Sequence, residues 1–183
     1  SQNKLRAEKQ LEFGDKTYTA RISLDVVSRI EQALGCSILK VGTKLASADL
    51  TINETMTILL LSIRAGGNDI KDSDMKQMIA EVGLVESLKM CGDLLTLALD
   101  TGEDNTDTFQ KKNVTDSDLE FPIQRYYQIL VGMIGIQPSE FWDMSVYEVS
   151  LAIKGFREYN TGKTEKPMDK GELDKMKEMY PDV

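Results

Sequence analysis

Apolar and polar positions follow two different periods at the start of the chain. Side chains alternate in residues 11–13 and 17–22, and Gly14 and Asp15 between these runs suit a tight turn. This pattern predicts a β-hairpin. From Ser23 onward the period becomes helical, and the apolar residues Val26, Val27, Ile30 and Leu34 share one face of a helix that Gly35 ends.

Capping residues predict the helices that follow. Ser37 is placed to begin a short helix, and Thr51 with Glu54 forms a capping box for the next one. That next helix is apolar around much of its circumference, so we expect it at the centre of the first domain. Asp72 or Ser73 begins a further helix, which Gly83 closes.

The helix predicted for residues 84–99 has an unusually wide apolar face. Its apolar positions cover an arc of roughly 240° at about 100° per residue. Two explanations of such an arc remain open. The helix is buried between two other helices, or part of its apolar face binds a partner. The candidate partner-binding residues on this helix are Met90, Leu94 and Leu97.

The second part of the chain has its own helical pattern. Residues 101–120 are rich in Asp, Asn, Thr and Lys and are interpreted as a flexible acidic linker. A helix entered through Pro122 ends at Gly135, and Ser145 with Glu148 forms a capping box for a later helix. Between them, Trp142 is interpreted as a core plug rather than a ligand platform. The predicted fold class is mainly α: an N-terminal β-hairpin and helical bundle in residues 1–100, the linker, and a small helical domain in residues 121–160.

The last segment, residues 161–183, is predicted to be a tethered amphipathic helix. Leu173, Met176 and Tyr180 fall at helical spacing, and Pro181 stops the pattern. Such a short helix needs a surface to lie against. Packing on its own domain and recognition of a partner both remain open, and the three apolar residues are candidate partner-binding residues.

Composition argues against a catalytic or ligand-binding role. The chain has no histidine, so Ser-His and Cys-His catalysis are excluded, and Cys36 and Cys91 lack the close spacing of a metal or redox motif. The net charge of −8 comes without a basic stripe, which argues against nucleic acid, and no apolar run is long enough to cross a bilayer. Gly66-Gly67 follows a helix and is no phosphate loop. We therefore expect no enzyme activity, no cofactor, no metal, and neither nucleic acid nor membrane as a partner.

Two sets of residues resemble proteins of phage tail gene clusters. Pro122, Gly135, the Pro138-x-x-Phe141-Trp142 turn and Ser145-x-x-Glu148 are similar to the small tail assembly chaperones of tailed phages and gene transfer agents. In the first half, Glu31-x-x-Leu34-Gly35, Gly66-Gly67 and Gly83-Leu84 resemble the larger tail assembly component of gene-transfer-agent-like phages.

This resemblance implies a tail assembly chaperone that binds the tape measure protein, keeps it soluble and helps recruit the major tail (tube) protein. It also implies action in the host bacterial cytoplasm and absence from the mature virion. Self-association through the first domain is expected from its hairpin edge and wide apolar helix. The alternative is a structural tail protein, a tube or completion subunit, that is retained in the virion.

Overall fold

An antiparallel sheet begins the protein in the computed structural model, which describes residues 1–102 and 120–162. Strands β1 (Gln2–Asn3), β2 (Glu8–Phe13) and β3 (Lys16–Arg21) lie in the order β1-β2-β3. The register pairs Glu8 with Arg21 and Phe13 with Lys16, and Gly14 makes the turn at φ 62°. The predicted hairpin is therefore confirmed. Strand β1 was not predicted, because two residues are too few to show alternation.

Five helices follow the sheet within residues 1–102, and most of the described chain is helical. They are α1 (Leu24–Leu34), α2 (Ile38–Ala46), α3 (Ile52–Ala65), α4 (Asp72–Val82) and α5 (Leu84–Ala98). The predicted signals act locally as expected. The Ser23 hydroxyl accepts from the Val26 amide, Thr51 and Glu54 form a full capping box, and Gly35 ends α1 at φ 70°. The mainly α fold class is confirmed.

Helix α3 lies at the centre of the first core, as its all-round apolar pattern predicts. It contacts β3, α1, α4 and α5, and Ile58, Leu59 and Ile63 are fully buried. At its end, Gly66 approaches β3 so closely that an added Cβ would lie 1.9 Å from the Thr19 carbonyl oxygen. A side chain at Gly66 would therefore push the helix away from the sheet.

The second helical region contains α6 (Ile123–Tyr127), a π-helix (Gln128–Ile134), α7 (Pro138–Asp143) and α8 (Val146–Thr161). The predicted end at Gly135 is confirmed by its left-handed φ of 91°. The prediction that Trp142 plugs this core was wrong. Phe141 is fully buried, whereas the larger Trp142 lies partly exposed beside it, because the small core of this region encloses one ring of the pair.

The two regions have separate apolar clusters that meet at α1. Leu24 of α1 is fully buried in the second cluster, and its amide donates to the Met144 carbonyl oxygen at 2.9 Å. Phe121 packs against both clusters. Independent folding of the two regions stays a prediction. The predicted linker lies almost wholly outside the described residues, and so does the predicted C-terminal helix, apart from its first two residues.

Candidate assembly surfaces

The first group of predicted partner-binding residues lies inside the protein. Met90, Leu94 and Leu97 are 7 %, 0 % and 3 % exposed. Helix α5, which carries them, packs against α2, α3, α4 and β2. Burial within the first region thus accounts for the wide apolar arc. Direct contact of these residues with a partner would require α5 to move, and their partner-binding role stays a prediction. The other candidates, Leu173, Met176 and Tyr180, lie outside the described residues.

Apolar side chains do reach solvent at the starts of two helices in the first region. Val85 in the first turn of α5 is 74 % exposed, and Ile52 in the first turn of α3 is 60 % exposed. Leu84 beside Val85 is 40 % exposed. Their position could have been anticipated, because the first turn of a helix often extends beyond the elements that cover its middle. These apolar side chains are accessible from outside in the single chain.

A groove of about 740 Å³ runs between α2 and α5. Gly42 of α2 and Gly92 of α5 help to open it, since neither carries a side chain to fill the space between the helices. Its other lining residues are mainly apolar, with Lys4 and Asp100 as the charged members: Lys4, Leu39, Thr43, Leu45, Ala46, Leu95, Thr96, Leu99 and Asp100. The sequence did carry a signal for this groove, namely two glycines within helical patterns.

An ion-pair cluster joins the sheet to the second helical region. Asp143, at the end of α7, accepts from Arg21 Nη1 at 2.8 Å and from Arg6 Nη2 at 3.3 Å. The Arg21 hydrogen bond is the main cause that lowers the pKa of the Asp143 carboxyl from its ordinary value. Nearby, the Ser145 hydroxyl donates to the Leu5 carbonyl oxygen. This cluster fixes the orientation of α7 and α8 on the first region.

Aromatic rings form the outer part of the second cluster. The Tyr127 and Phe141 ring centroids are 5.2 Å apart, and those of Phe141 and Trp142 are 5.1 Å apart. Tyr127 and Trp142 also line a shallow cavity of about 380 Å³. The arrangement is an edge-to-face stack that stabilises the small core, with one face of the stack accessible from outside.

Two titratable side chains with raised pKa values have structural explanations. Burial raises the pKa of the Glu31 carboxyl, which accepts a hydrogen bond from the Ile38 amide at 2.9 Å and so caps α2. Burial raises the pKa of the Cys91 thiol to about 12. Both groups thus stabilise or fill the fold. Within the described ranges, the acidic and cysteine side chains form no group able to hold a metal ion.

None of the described helices combines the length and apolar character that crossing a bilayer requires.

The chain matches a family model described as phage tail tube protein, GTA-gp10. It covers residues 6–101, more than half of the 183 residues. The matched stretch runs from the loop before β2 to just beyond the end of α5, so it contains almost the whole first region. Comparison with curated proteins and with solved structures gives no significant match.

Proposed function

Because the chain belongs to the phage tail tube protein family, GTA-gp10, we propose that it is a structural subunit of a phage-like tail tube. The observation that carries this proposal is the extent of the match. Residues 6–101 include β2, β3 and α1–α5, which together enclose the first apolar core. The family match therefore covers almost the whole first region and not a short shared motif.

This family membership corrects two expectations from the sequence. The chain was predicted to be a tail assembly chaperone, and the match to a tail tube family shows that this prediction was wrong. Its predicted absence from the mature virion was wrong for the same reason, since a tube subunit is a component of the particle. The general assignment to phage and gene-transfer-agent tails is confirmed.

A structural role requires contacts with other tail components, first among them further copies of the chain. Repeated copies form rings or filaments when one surface of a subunit binds a different surface of the next. Val85, Leu84 and Ile52 support such a contact, because their apolar side chains are exposed in the single chain. Binding to a tape measure protein, which the sequence resemblance implied, remains a prediction that co-purification with that protein would test.

We also propose that the role is non-catalytic. The chain has no histidine, and Glu31 and Cys91, whose pKa values are raised by burial, serve as a helix cap and a core side chain. These observations favour a protein that acts through its surfaces.

Mass spectrometry of purified particles tests the main proposal. The peptides of this chain should be enriched with the tail fraction, in a copy number comparable to that of the most abundant tail proteins. A chain that is abundant in the cell lysate and missing from purified tails would contradict the proposal.

Sedimentation velocity tests the self-contact. Val85→Asp places a charge on the exposed apolar site and should weaken self-association at least tenfold, the equivalent of about 1.4 kcal/mol. Ser73→Asp is the matched control, because it adds the same charge at an exposed position of the same region. Equal association of both variants and the unmodified chain would exclude Val85 from the contact.

A further inference from the structure

The groove between α2 and α5 is an apolar surface left uncovered by the described residues. It is lined by Leu39 and Leu45 of α2, by Leu95 of α5 and by Leu99 directly after α5. Along the axis of α5 the groove runs from Gly92 to Asp100, just past the end of the helix, a distance of about 12 Å at 1.5 Å per residue. This length accommodates two turns of a helix.

The described chain ends close to this groove. Thr161, in the last turn of α8, and Thr101 line the same cavity of about 350 Å³. Thr101 directly follows Asp100, which lines the groove. The segment that continues from Gly162 therefore starts beside one end of the groove.

Length and pattern of the remaining segment fit this position. Residues 163–183 contain Leu173, Met176 and Tyr180 at the spacing of one helix face. Seven residues of helix span about 10.5 Å, close to the length of the groove. An extended chain covers about 3.3 Å per residue, so the stretch from Gly162 to Leu173 can reach along the whole groove.

We propose that the α2–α5 groove holds the chain's own C-terminal segment, residues 163–183, with Leu173, Met176 and Tyr180 against its apolar lining. Proximity favours the segment of the same chain over that of a second copy, because a tethered segment has a high effective concentration at a nearby site. The proposal does not depend on the proposed tube function. It assigns a binding site to residues of α2 and α5 that the family match by itself does not single out.

Photocrosslinking in the full chain tests this contact. Tyr180→benzoylphenylalanine places a crosslinker on the segment, and mapped crosslinks should fall on α2 or α5. Mixing chains of natural and ¹⁵N composition before irradiation distinguishes crosslinks within one chain from those between copies. We expect crosslinks within one chain.

A groove-filling variant provides the specificity control. Gly42→Leu puts a side chain into the groove, and an added Cβ there meets no atom within 4 Å, so the fold should accept it. It should lower the crosslink yield at least fivefold. Gly155→Leu is the matched control on α8, where an added Cβ also meets no atom within 4 Å, and should leave the yield unchanged.

Hydrogen exchange gives an independent measurement without a crosslinker. In the full chain, Leu173→Asp together with Met176→Asp should increase amide exchange in α2 and in the last two turns of α5, while β2 and β3 exchange as before. The proposal is overturned by crosslinks that map elsewhere or only between copies, by equal yields in Gly42→Leu and Gly155→Leu, or by unchanged exchange in α2.

Discussion

Leu94→Ala provides the sharpest test of whether the apolar face of α5 belongs to the core or to a partner surface. Leu94 is fully buried and belongs to the first apolar cluster. Truncation of a buried leucine costs about 2–5 kcal/mol, and the cost rises when the surroundings cannot collapse into the cavity. Since α5 packs against α2, α3, α4 and β2, we expect Leu94→Ala to lower the free energy of unfolding by about 3–5 kcal/mol. For a chain of this size, the melting temperature should fall by roughly 6–20 °C.

Val85→Ala is the matched comparison on the same helix. Its side chain is 74 % exposed, so its removal should change the free energy of unfolding by less than about 0.5 kcal/mol. Urea titration followed by far-ultraviolet circular dichroism gives both free energies, and sedimentation velocity gives self-association. We expect Leu94→Ala to lower stability and Val85→Ala to weaken self-association. A Leu94→Ala variant with unchanged stability and weaker self-association would refute the argument from burial.

Three further predictions follow from individual contacts. Gly66→Ala should destabilise the fold by about 1–3 kcal/mol in urea titration, because its Cβ would lie 1.9 Å from a backbone atom, the Thr19 carbonyl oxygen; stability equal to wild type would contradict this close approach. Asp143→Asn should lower the free energy of unfolding by at most about 1 kcal/mol at neutral pH, because the Asp143 side chain is largely solvent-exposed. Because folding lowers the pKa of Asp143, its carboxylate stabilises the fold at pH values above its ordinary pKa. This stabilisation is lost as the pH falls through the lowered pKa, so the unfolding curves of wild type and Asp143→Asn should converge in acid. A thiol-reactive reagent should modify the partly exposed Cys36 of the native chain first. Cys91 should react only on unfolding, because its thiol is fully buried and has a pKa of about 12. Rapid reaction of both thiols in the native chain would contradict the burial of Cys91.

The resemblance read from the sequence identified the tail family but assigned the wrong role. The residues that carried it are capping boxes, helix-ending glycines and a proline turn, all of which specify local backbone structure. A chaperone and a tube subunit can share such features, because their roles depend on which surfaces remain exposed and what covers them. The match over residues 6–101 decided between the two roles, which local motifs could not do.

The sequence by itself determined where most elements begin and end. Ser23, Thr51 and Ser145 start helices at the predicted positions, and Gly35 and Gly135 end them. These signals are reliable because a cap or a left-handed glycine acts on backbone groups within about four residues. The fold class followed from the same local information.

Tertiary structure alone decided which apolar positions are covered. It buried Leu94 and exposed Val85 on one helix, enclosed Phe141 in place of Trp142, and left a groove between α2 and α5. Helical periodicity counts apolar positions on a face, but it carries no information about which distant element lies against that face. Burial depends on contacts between residues far apart in the chain, and for this reason only the folded protein shows which of the apolar positions remain exposed.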